Sequence, residues 1–290
     1  MIFNSKRIPL LHRLPMTQIR LFIARIIYRL LRIVLRINHH SIHRKGINYE
    51  VDLSEAFDLS IYLFGNFQGY IIHTRYFSVL TDPVIFDIGA NIGSMALGFA
   101  QRFPQGYVYA FEPDPFVSEK LLRNLSLNPE LSQRVTPIQA LVTDPSSMGQ
   151  SRMTYYTNWR LDRRDGHTHP IHGGTIHAVD SIPCITVDDF CKDRGIRRVD
   201  LIKIDTEGYE FQILKGAQRT ITDYLPFIVF EAGLYIMQEN HITFEHYFNY
   251  LTSFGYTLIN IKNGHPVNLE NYIKEIPLRF TMDIVAIPPQ

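Results

Sequence analysis

Cysteine, tryptophan and long uncharged apolar runs are scarce in this chain. Its 290 residues include two cysteines, Cys184 and Cys191, and a single tryptophan. Two cysteines cannot form the disulfide framework of a small secreted domain, which favours a reduced, cytoplasmic setting. No run of about 18 residues is both apolar and uncharged, so the sequence predicts no transmembrane helix. With 46% hydrophobic and 20% charged residues, the composition is typical of a globular protein with a sizeable core.

Acidic residues are absent from the first 46 positions. This segment carries ten of the 29 lysines and arginines, so the rest of the chain has 19 basic and 28 acidic residues, a net charge of −9. A groove that binds nucleic acid would itself be basic, so this distribution argues against a nucleic-acid partner. We therefore divide the chain into a basic N-terminal arm, residues 1–46, and a main domain, residues 47–290.

A helical period runs through the arm over residues 16–37. Arg25, Arg29, Arg32 and Arg36 recur every three or four positions and share one face, while leucine, isoleucine and valine fill much of the rest. Arginine at nearly every turn argues against a signal peptide. Such a helix suits an anionic membrane surface, which would hold a cytoplasmic protein at the inner face of a membrane. The alternative is packing on the main domain or on another subunit.

The main domain alternates apolar runs with amphipathic segments. We predict strands at Val84–Ile88, Tyr107–Phe111, Val135–Leu141, Val199–Ile204, Phe227–Phe230, Tyr256–Ile261 and Met282–Ile287. Helices are predicted at Ser94–Arg102, Pro115–Leu127, Tyr209–Asp223 and Phe244–Phe254. This alternation is typical of an α/β fold with a mostly parallel sheet covered on both faces. Residues 144–180 interrupt the pattern with a long polar stretch, which we interpret as a substrate loop.

The first predicted strand leads into a turn with two glycines and then into a helix. Glycine lets a ligand approach the backbone, and a helix N-terminus offers free N–H groups. A dinucleotide-binding turn has its first glycine where this chain has Asp87. An acid there would repel a pyrophosphate but suits a ligand with an ammonium and a sulfonium. We therefore assign Asp87, Gly89, Ala90, Asn91 and Gly93 to binding of S-adenosyl-L-methionine.

An acid also follows the second predicted strand. Glu112 and Pro113 come directly after Tyr107–Phe111. A carboxylate at the end of this strand can hold the two hydroxyls of a ribose, so both residues are assigned to the cofactor. The alternative for Glu112 is a structural role at the start of the following helix.

The third predicted strand contributes two further candidates. Ala140 and Asp144 lie at and just beyond its end, which would place them near the edge of the adenine ring. The alternative for Asp144 is a turn residue before Pro145.

Charged residues cluster where the fourth predicted strand ends. Lys203, Asp205 and Glu207 alternate along its end and exit, at the sheet edge where open α/β folds bind ligands. Charges in a buried strand are costly unless paired, so we predict a catalytic site. The alternative is a Lys–carboxylate network that only orders the turn. Asp205 and Glu207 are the candidate general bases, and Lys203 would keep one of them ionised.

Four histidines of the 144–180 segment compete for the role of base, because neutral imidazole accepts a proton near neutral pH. They are His167, His169, His172 and His177. Their spacing matches no standard zinc pattern, so we assign no metal ligand, although metal binding, substrate contact and simple solvation all remain open for this segment. Trp159, in the same segment, is either a platform that stacks on a sugar or a buried anchor.

Taken together, these motifs resemble the FkbM-type methyltransferase family from about Ile61 to the C-terminus. The matching segments are Phe86–Gly93, Phe111–Pro113, Asn124 with Asn128, Thr186–Phe190, Leu201–Glu210, Leu214–Ala217 and Phe230–Glu231. The resemblance implies the class I (Rossmann-like) methyltransferase fold, a seven-stranded, mostly parallel sheet with one reversed strand. It also implies O-methylation of a hydroxyl on a sugar, glycolipid or polyketide-like natural product. The expected partner is thus a small-molecule, glycan or lipid-linked acceptor.

Two rival functions share part of the pattern. An NAD-dependent oxidoreductase has the same strand, turn and ribose acid, but this turn lacks its glycine spacing. A non-catalytic scaffold would keep the fold and recruit membranes through the arm, but retention of both cofactor acids, Asp87 and Glu112, argues against it. A nucleic-acid methyltransferase is disfavoured, because the Asp205–Gly208 turn lacks the sequence that grips a flipped base.

Overall fold

A seven-stranded sheet forms the centre of the computed structural model, which describes residues 16–36, 38–65, 68–148, 154–157, 159–162, 169, 171, 174–178 and 182–289. The strands are β1 His39–Arg44, β2 Ile47–Asp52, β3 Val84–Ile88, β4 Tyr107–Phe111, β5 Val135–Ile138, β6 Leu141–Val142, β7 Thr154–Thr157, β8 Thr175–Ala178, β9 Cys184–Ile185, β10 Leu201–Ile204, β11 Phe227–Ala232, β12 Thr257–Asn260 and β13 Met282–Ile287. The helices are α1 Met16–Leu35, α2 Ala56–Phe64, α3 Gly69–Ile72, α4 Ser94–Arg102, α5 Pro115–Ser126, α6 Pro129–Ser132, α7 Val187–Asp193, α8 Glu210–Lys215, α9 Gln218–Tyr224, α10 Leu234–Glu239, α11 Phe244–Ser253 and α12 Tyr272–Glu275, with a 3₁₀ turn at Arg75–Val79.

The order of strands across the sheet is β12-β13-β11-β10-β3-β4-β5. Neighbours pair in parallel from β11 to β5, whereas β13 runs antiparallel to both β11 and β12. The chain fills the sheet outward from β3 to β5 and then returns to β10 on the other side of β3. Such a reversal of strand order opens a crevice at the carboxyl ends of the two central strands. The predicted class I fold, with seven strands and one reversed, is confirmed.

Both faces of the sheet are covered, which explains the nearly continuous apolar character of its strands. Ile85 and Leu201 point into the layer shared with α1, α2, α4 and the β1–β2 hairpin. Phe86, Ile202 and Phe230 point into the opposite layer, which α7 to α11 cover. Because side chains alternate along a strand, one strand serves both layers, and the sheet edge is left to hold the polar residues.

Helix α1 packs on the main domain along one side. Tyr28 is 2% exposed and its hydroxyl donates to Asn38 Oδ1 at 3.3 Å. The opposite side, called here the outer face of α1, consists of Ile19, Phe22, Ile23, Ile26, Leu30, Ile33 and Val34, all exposed. Among the described residues, no helix has the length and apolarity needed to cross a bilayer. The predicted arm boundary at residue 46 falls in the turn of the β1–β2 hairpin.

The predicted helix over Tyr209–Asp223 is wrong in its continuity, since α8 and α9 are separate helices. Gly216 lies at the break, where the chain passes close to another segment. A Cβ at Gly216 would lie 2.1 Å from the carbonyl oxygen of Thr143. The carbonyl of Gly216 also accepts from Asp188 N at 3.0 Å. This contact between distant segments breaks a helix that local periodicity alone would continue.

Several elements lack a strong signal in the sequence. The β1–β2 hairpin, α2 and α10 are not among the predicted elements, and predicted strand Val135–Leu141 ends at Ile138. Within the polar 144–180 segment, β7 pairs antiparallel with β8. The described part of that segment therefore contains a two-stranded ladder.

Candidate active site

A cavity of about 620 Å³ lies at the carboxyl ends of β3, β4, β10 and β11. Nine of the predicted site residues line it: Gly89, Ala90, Asn91, Glu112, Pro113, Ala140, Lys203, Asp205 and Glu207. The other three, Asp87, Gly93 and Asp144, are not part of its lining. The predicted cofactor turn and the predicted catalytic strand thus face one cavity, although they are far apart in sequence.

The backbone conformation of the turn after β3 depends on Gly89. This residue has φ +77°, and a Cβ on it would lie 1.9 Å from the carbonyl oxygen of Asp205. The amides of Gly89 and Ala90 both donate to the Phe111 carbonyl, at 3.0 and 2.9 Å. Asn91 follows with φ +50°, a conformation that asparagine tolerates. Only glycine fits where the turn touches the exit of β10. Gly93, also at positive φ, precedes the first residue of α4.

Glu112 is held in a fixed orientation beside this turn. It is 7% exposed, and its two carboxylate oxygens accept from Asn91 N at 2.9 Å and from Asp114 N at 3.0 Å. Burial raises the pKa of Glu112 to about 7, although the two N–H donors act in the opposite direction. The cap of α5 is Asp114, which accepts from the amides of Phe116 and Val117. Glu112 is therefore not needed as the helix cap.

Lys203 joins the two halves of the site. Its ammonium lies 3.1 Å from Asp87 Oδ1 and 3.8 Å from Asp205 Oδ2, and it donates to the Gly89 carbonyl at 3.0 Å. Burial lowers the pKa of Lys203, but the carboxylates of Asp87 and Asp205 outweigh burial, and the net shift is upward. Lys203 therefore stays protonated.

Asp87 lies behind the turn and is fully buried. It stands opposite Lys203 in the register of β3 with β10, so its carboxylate balances the buried ammonium. A direct contact between Asp87 and a ligand stays a prediction.

Asp205 and Glu207 differ in surroundings. Asp205 is 19% exposed in its side chain and accepts from Gln68 Nε2 at 3.1 Å. Glu207 has φ +53°, an unusual backbone conformation for glutamate. Burial, followed by the charges of Asp205 and Glu210, raises the pKa of Glu207 well above the ordinary range. Of the two candidate bases, Asp205 has the ammonium partner, whereas Glu207 favours its protonated form.

Hydrogen bonds to Glu210 stabilise the turn that contains Asp205 and Glu207. Its Oε1 accepts from Thr206 N at 3.0 Å, from Thr206 Oγ1 at 3.1 Å and from Gly208 N at 3.1 Å. Glu210 is 2% exposed, and its carboxylate accepts hydrogen bonds from the backbone of its own turn. Glu210, three residues beyond Glu207, thus serves to order the turn.

Two further carboxylates stand next to Asp205. Glu231 lines the cavity from β11, and Asp283 faces it across the antiparallel pair of β11 and β13. Tyr70 donates to Asp283, and Thr281 donates to Glu231. Burial and the charge of Asp205 raise the pKa of Asp283 to about 6. The sequence analysis missed Asp283, whose only signal was an aspartate inside the apolar run of β13.

Asp144 lies outside the cavity lining and has local partners. Lys215 Nζ is 2.6 Å from its Oδ2, and its Oδ1 accepts from Ser146 Oγ at 2.6 Å and Ser147 N at 2.9 Å. Burial raises the pKa of Asp144, but these partners outweigh burial and hold the pKa at about 2. These contacts anchor the turn after β6, while contact with adenine stays a prediction. Ala140 does line the cavity.

Among the described residues of the 144–180 segment, Trp159 lines the cavity. Its carbonyl accepts from Ala56 N at 3.0 Å. His169 Nε2 lies 2.9 Å from Oε2 of Glu239, the last residue of α10, and His169 is not part of the cavity lining. His177 is in β8 opposite Tyr155, while His167 and His172 lie outside the described residues. Within the described ranges, no three His, Cys, Asp or Glu side chains are grouped to hold a metal ion.

The comparison with known families and proteins agrees with this geometry. The family model described as "Methyltransferase FkbM domain" matches residues 87–258, more than half of the chain. Methyltransferase sdnD of Sordaria araneosa is 29% identical over 62% of this chain and 81% of its own length. The 2-O-methyltransferase NoeI of Sinorhizobium fredii is 26% identical over 52% of this chain and 65% of its own length.

A third relative is the 31-O-demethyl-FK506 methyltransferase FkbM of Streptomyces tacrolimicus. It is 31% identical over 47% of this chain, and the match spans 59% of its own length. The matched residues 87–258 begin at the buried Asp87 and include Glu112, Lys203, Asp205 and Glu207. From the family match and the fold together, this chain is a methyltransferase that belongs to the FkbM family.

Proposed function

We propose that this methyltransferase transfers the methyl group of S-adenosyl-L-methionine to a hydroxyl of a sugar, glycolipid or polyketide-like natural product. The observation that carries the proposal is one cavity lined by the Gly89–Asn91 turn, by Glu112 and by Asp205. Two relatives support the choice of oxygen as the methylated atom, since their names describe a 2-O-methyltransferase and a 31-O-demethyl-FK506 methyltransferase.

The residues of the cavity suit this cofactor in shape and charge. The backbone at Gly89 packs directly against the Asp205 carbonyl, where any side chain would clash, and this contact holds the turn and Asp205 together in the cavity wall. Glu112 offers an oriented carboxylate for the ribose hydroxyls. Asp205, Glu207 and Glu231 give the neighbouring wall an acidic character, which favours a ligand that carries an ammonium and a sulfonium. Ala140 and the adjoining apolar residues of β6 supply a wall for an adenine ring.

The chain's own contribution to the reaction is positioning and proton removal. When bound, the cofactor supplies a methyl group that its sulfonium already makes reactive. Holding two reactants in line is worth up to roughly 7–11 kcal/mol in well-oriented systems. A sugar hydroxyl is a weak nucleophile, and a positioned base adds roughly 10²–10⁴-fold. Asp205 lines the cavity with the Lys203 ammonium 3.8 Å away, which makes Asp205 our candidate base.

The experiment that tests the reaction compares cells with and without the gene. We expect mass spectrometry of their glycans, lipids and secreted natural products to show one species that is lighter by one methyl group in the deletion strain. Complementation with Asp205→Asn should leave that species unmethylated, with turnover reduced roughly 10²–10⁴-fold. The matched control is Asp223→Asn, which alters an exposed acid on α9 and should restore methylation. Full methylation with Asp205→Asn would remove Asp205 from the role of base.

Titration calorimetry separates the rival functions. We expect S-adenosylhomocysteine to bind the purified protein and NAD not to bind. Asp205→Asn should bind S-adenosylhomocysteine within about tenfold of the original affinity, since its effect falls on the chemical step. Binding of NAD alone would favour an oxidoreductase, and binding of neither compound would favour a scaffold.

A further inference from the structure

The cavity lining includes an apolar part that the methyl-transfer chemistry does not use. Helices α1 and α2 form this part of the lining, which we call the apolar vestibule. Its lining includes Ile23, Ala24 and Ile27 from α1 and Phe57 and Leu63 from α2. The glycine turn and the carboxylates of Asp205, Glu207 and Glu231 come instead from the carboxyl ends of the strands. An apolar wall of this kind suits an aliphatic chain, because such a chain is stabilised by removal from water.

The vestibule opens beside the outer face of α1. Ile23 belongs both to the cavity lining and to that outer face, and it is 49% exposed. Leu63 and Phe64 of α2 also line the cavity and remain exposed. The mouth of the site is therefore continuous with an exposed apolar surface of seven side chains along α1. A soluble surface rarely leaves such a patch without a partner.

The charges around this patch indicate what covers it. Arg20, Arg29 and Arg32 are exposed on α1, and Arg36 is exposed directly after its last residue. None of these four arginines forms an ion pair with a residue that the structure describes. The first 46 residues contain no acid at all. Two copies that met through this face would bring these arginines together, which is unfavourable. An anionic lipid surface instead accepts both the apolar side chains and the arginines.

We propose that the acceptor is an amphiphile with an aliphatic chain, taken from an anionic membrane surface on which α1 lies. The chain of the acceptor occupies the apolar vestibule, and its hydroxyl reaches Asp205. This inference rests on the proposed methyl transfer, because it names the class of acceptor for that reaction. It assigns α1 two roles, as the membrane-facing element and as one wall of the acceptor site.

The membrane contact is tested with purified full-length protein and vesicles. We expect sedimentation with phosphatidylcholine vesicles that contain about 30 mol% phosphatidylglycerol, and little with phosphatidylcholine alone. Ile33→Glu with Val34→Glu, at positions 74% and 76% exposed, should weaken binding roughly tenfold or more. Each of Arg29→Gln and Arg32→Gln should weaken binding roughly fivefold.

The matched control for the vesicle experiment is Phe116→Glu. Phe116 is 59% exposed on α5 and lies outside both the cavity lining and the outer face of α1. This variant should bind vesicles as the original protein does. Equal binding by the control and the Ile33/Val34 variant would overturn the proposal. So would a dimer in solution that the Ile33/Val34 variant dissociates, with no vesicle binding by the original protein.

The vestibule is tested separately with alkyl glucosides as probes, each below its micelle concentration. Trp159 lines the cavity and is the only tryptophan of the chain, so its fluorescence reports binding. We expect affinity to rise with chain length, up to about fourfold for each added methylene. Ala24→Phe fills the space between α1 and α2 and should abolish this dependence while the emission of the free protein stays unchanged.

Affinity for alkyl glucosides that does not change with chain length would overturn the acceptor class, even if S-adenosylhomocysteine binds normally. Failure to bind S-adenosylhomocysteine would instead refute the proposed function and leave the vesicle and glucoside measurements to stand on their own.

Discussion

The buried carboxyl of Glu112 makes the stability of this protein depend on pH in a way that one substitution should reveal. Burial raises its pKa from 4.5 to about 7. A carboxyl with a raised pKa binds its proton more tightly in the folded chain than in the unfolded chain. Its contribution to stability is therefore fully present below about pH 4.5 and is lost as the pH rises through about 7. Glu112→Gln removes the titration and leaves the rest of the site in place.

The magnitude follows from linkage. Between pH 6 and pH 8 the folded carboxyl gives up most of its proton, while the unfolded carboxyl is already ionised, which costs the original protein about 1.3 kcal/mol. Glutamine cannot accept from both Asn91 N and Asp114 N, so the variant also pays about 1–3 kcal/mol at every pH for one unsatisfied donor. The free-energy difference between the two proteins should therefore be largest at pH 6 and smaller by about 1.3 kcal/mol at pH 8.

Urea unfolding of both proteins at pH 6, 7 and 8, without cofactor, measures this difference. Other buried carboxyls, such as Glu55 with a pKa raised by burial to about 7, are present in both proteins and cancel. The control is Glu119→Gln on α5, whose side chain is 65% exposed and which should leave the pH dependence unchanged. A difference between Glu112→Gln and the original protein that stays constant from pH 6 to pH 8 would refute the reasoning.

Two further substitutions test the contacts that position the site. Gly89→Ala should cost more than about 3 kcal/mol in urea unfolding, because its Cβ would meet the Asp205 carbonyl at 1.9 Å. Gly195→Ala, with φ +62° and no atom within 4 Å, should cost only about 1–2 kcal/mol, and equal losses at the two positions would contradict the steric argument. Lys120→Met leaves the buried Asp58 without its cation and should cost about 3–5 kcal/mol, whereas adding Asp58→Asn, which keeps an oxygen that accepts from Asp52 N, should recover much of that loss. A double variant no more stable than Lys120→Met would show that the charge is not the cause.

The local chemistry of the sheet edge could be predicted from the sequence. Strand β3 and helix α4 occur at their predicted bounds, because a short apolar run, a glycine turn and an amphipathic segment each have a strong local signal. The acid after β4 and the charged residues after β10 follow from the same logic. Carboxyl ends of parallel strands meet at one edge, so residues at strand ends were expected to converge. Nine predicted residues line one cavity because they lie at or near the ends of strands that meet at this edge.

The partners of those residues were decided only by the tertiary structure. Asp87 and Asp144 were assigned to the cofactor, and their contact with it stays a prediction. The structure shows what the sequence did not, that Asp87 pairs with Lys203 and Asp144 with Lys215, both outside the cavity lining. Asp283 reaches the acidic wall because the last strand enters the sheet in reverse beside β11. Whether a side chain at the end of a strand faces the cavity depends on the pleat of that strand and on its register with a neighbouring strand that is distant in sequence. A local sequence pattern contains no information on that register.

The same distinction applies to α1. Its amphipathic period was evident from sequence, but the sequence left open whether the helix packs on the domain or faces a membrane. The structure shows one side packed and the other exposed, with Ile23 at the mouth of the cavity. Periodicity determined that the helix has two faces, because side chains three and four apart share a side. Only the packing of α1 against α2 decided that one of those faces completes the wall of the site, since contacts between separate helices depend on how the whole chain folds.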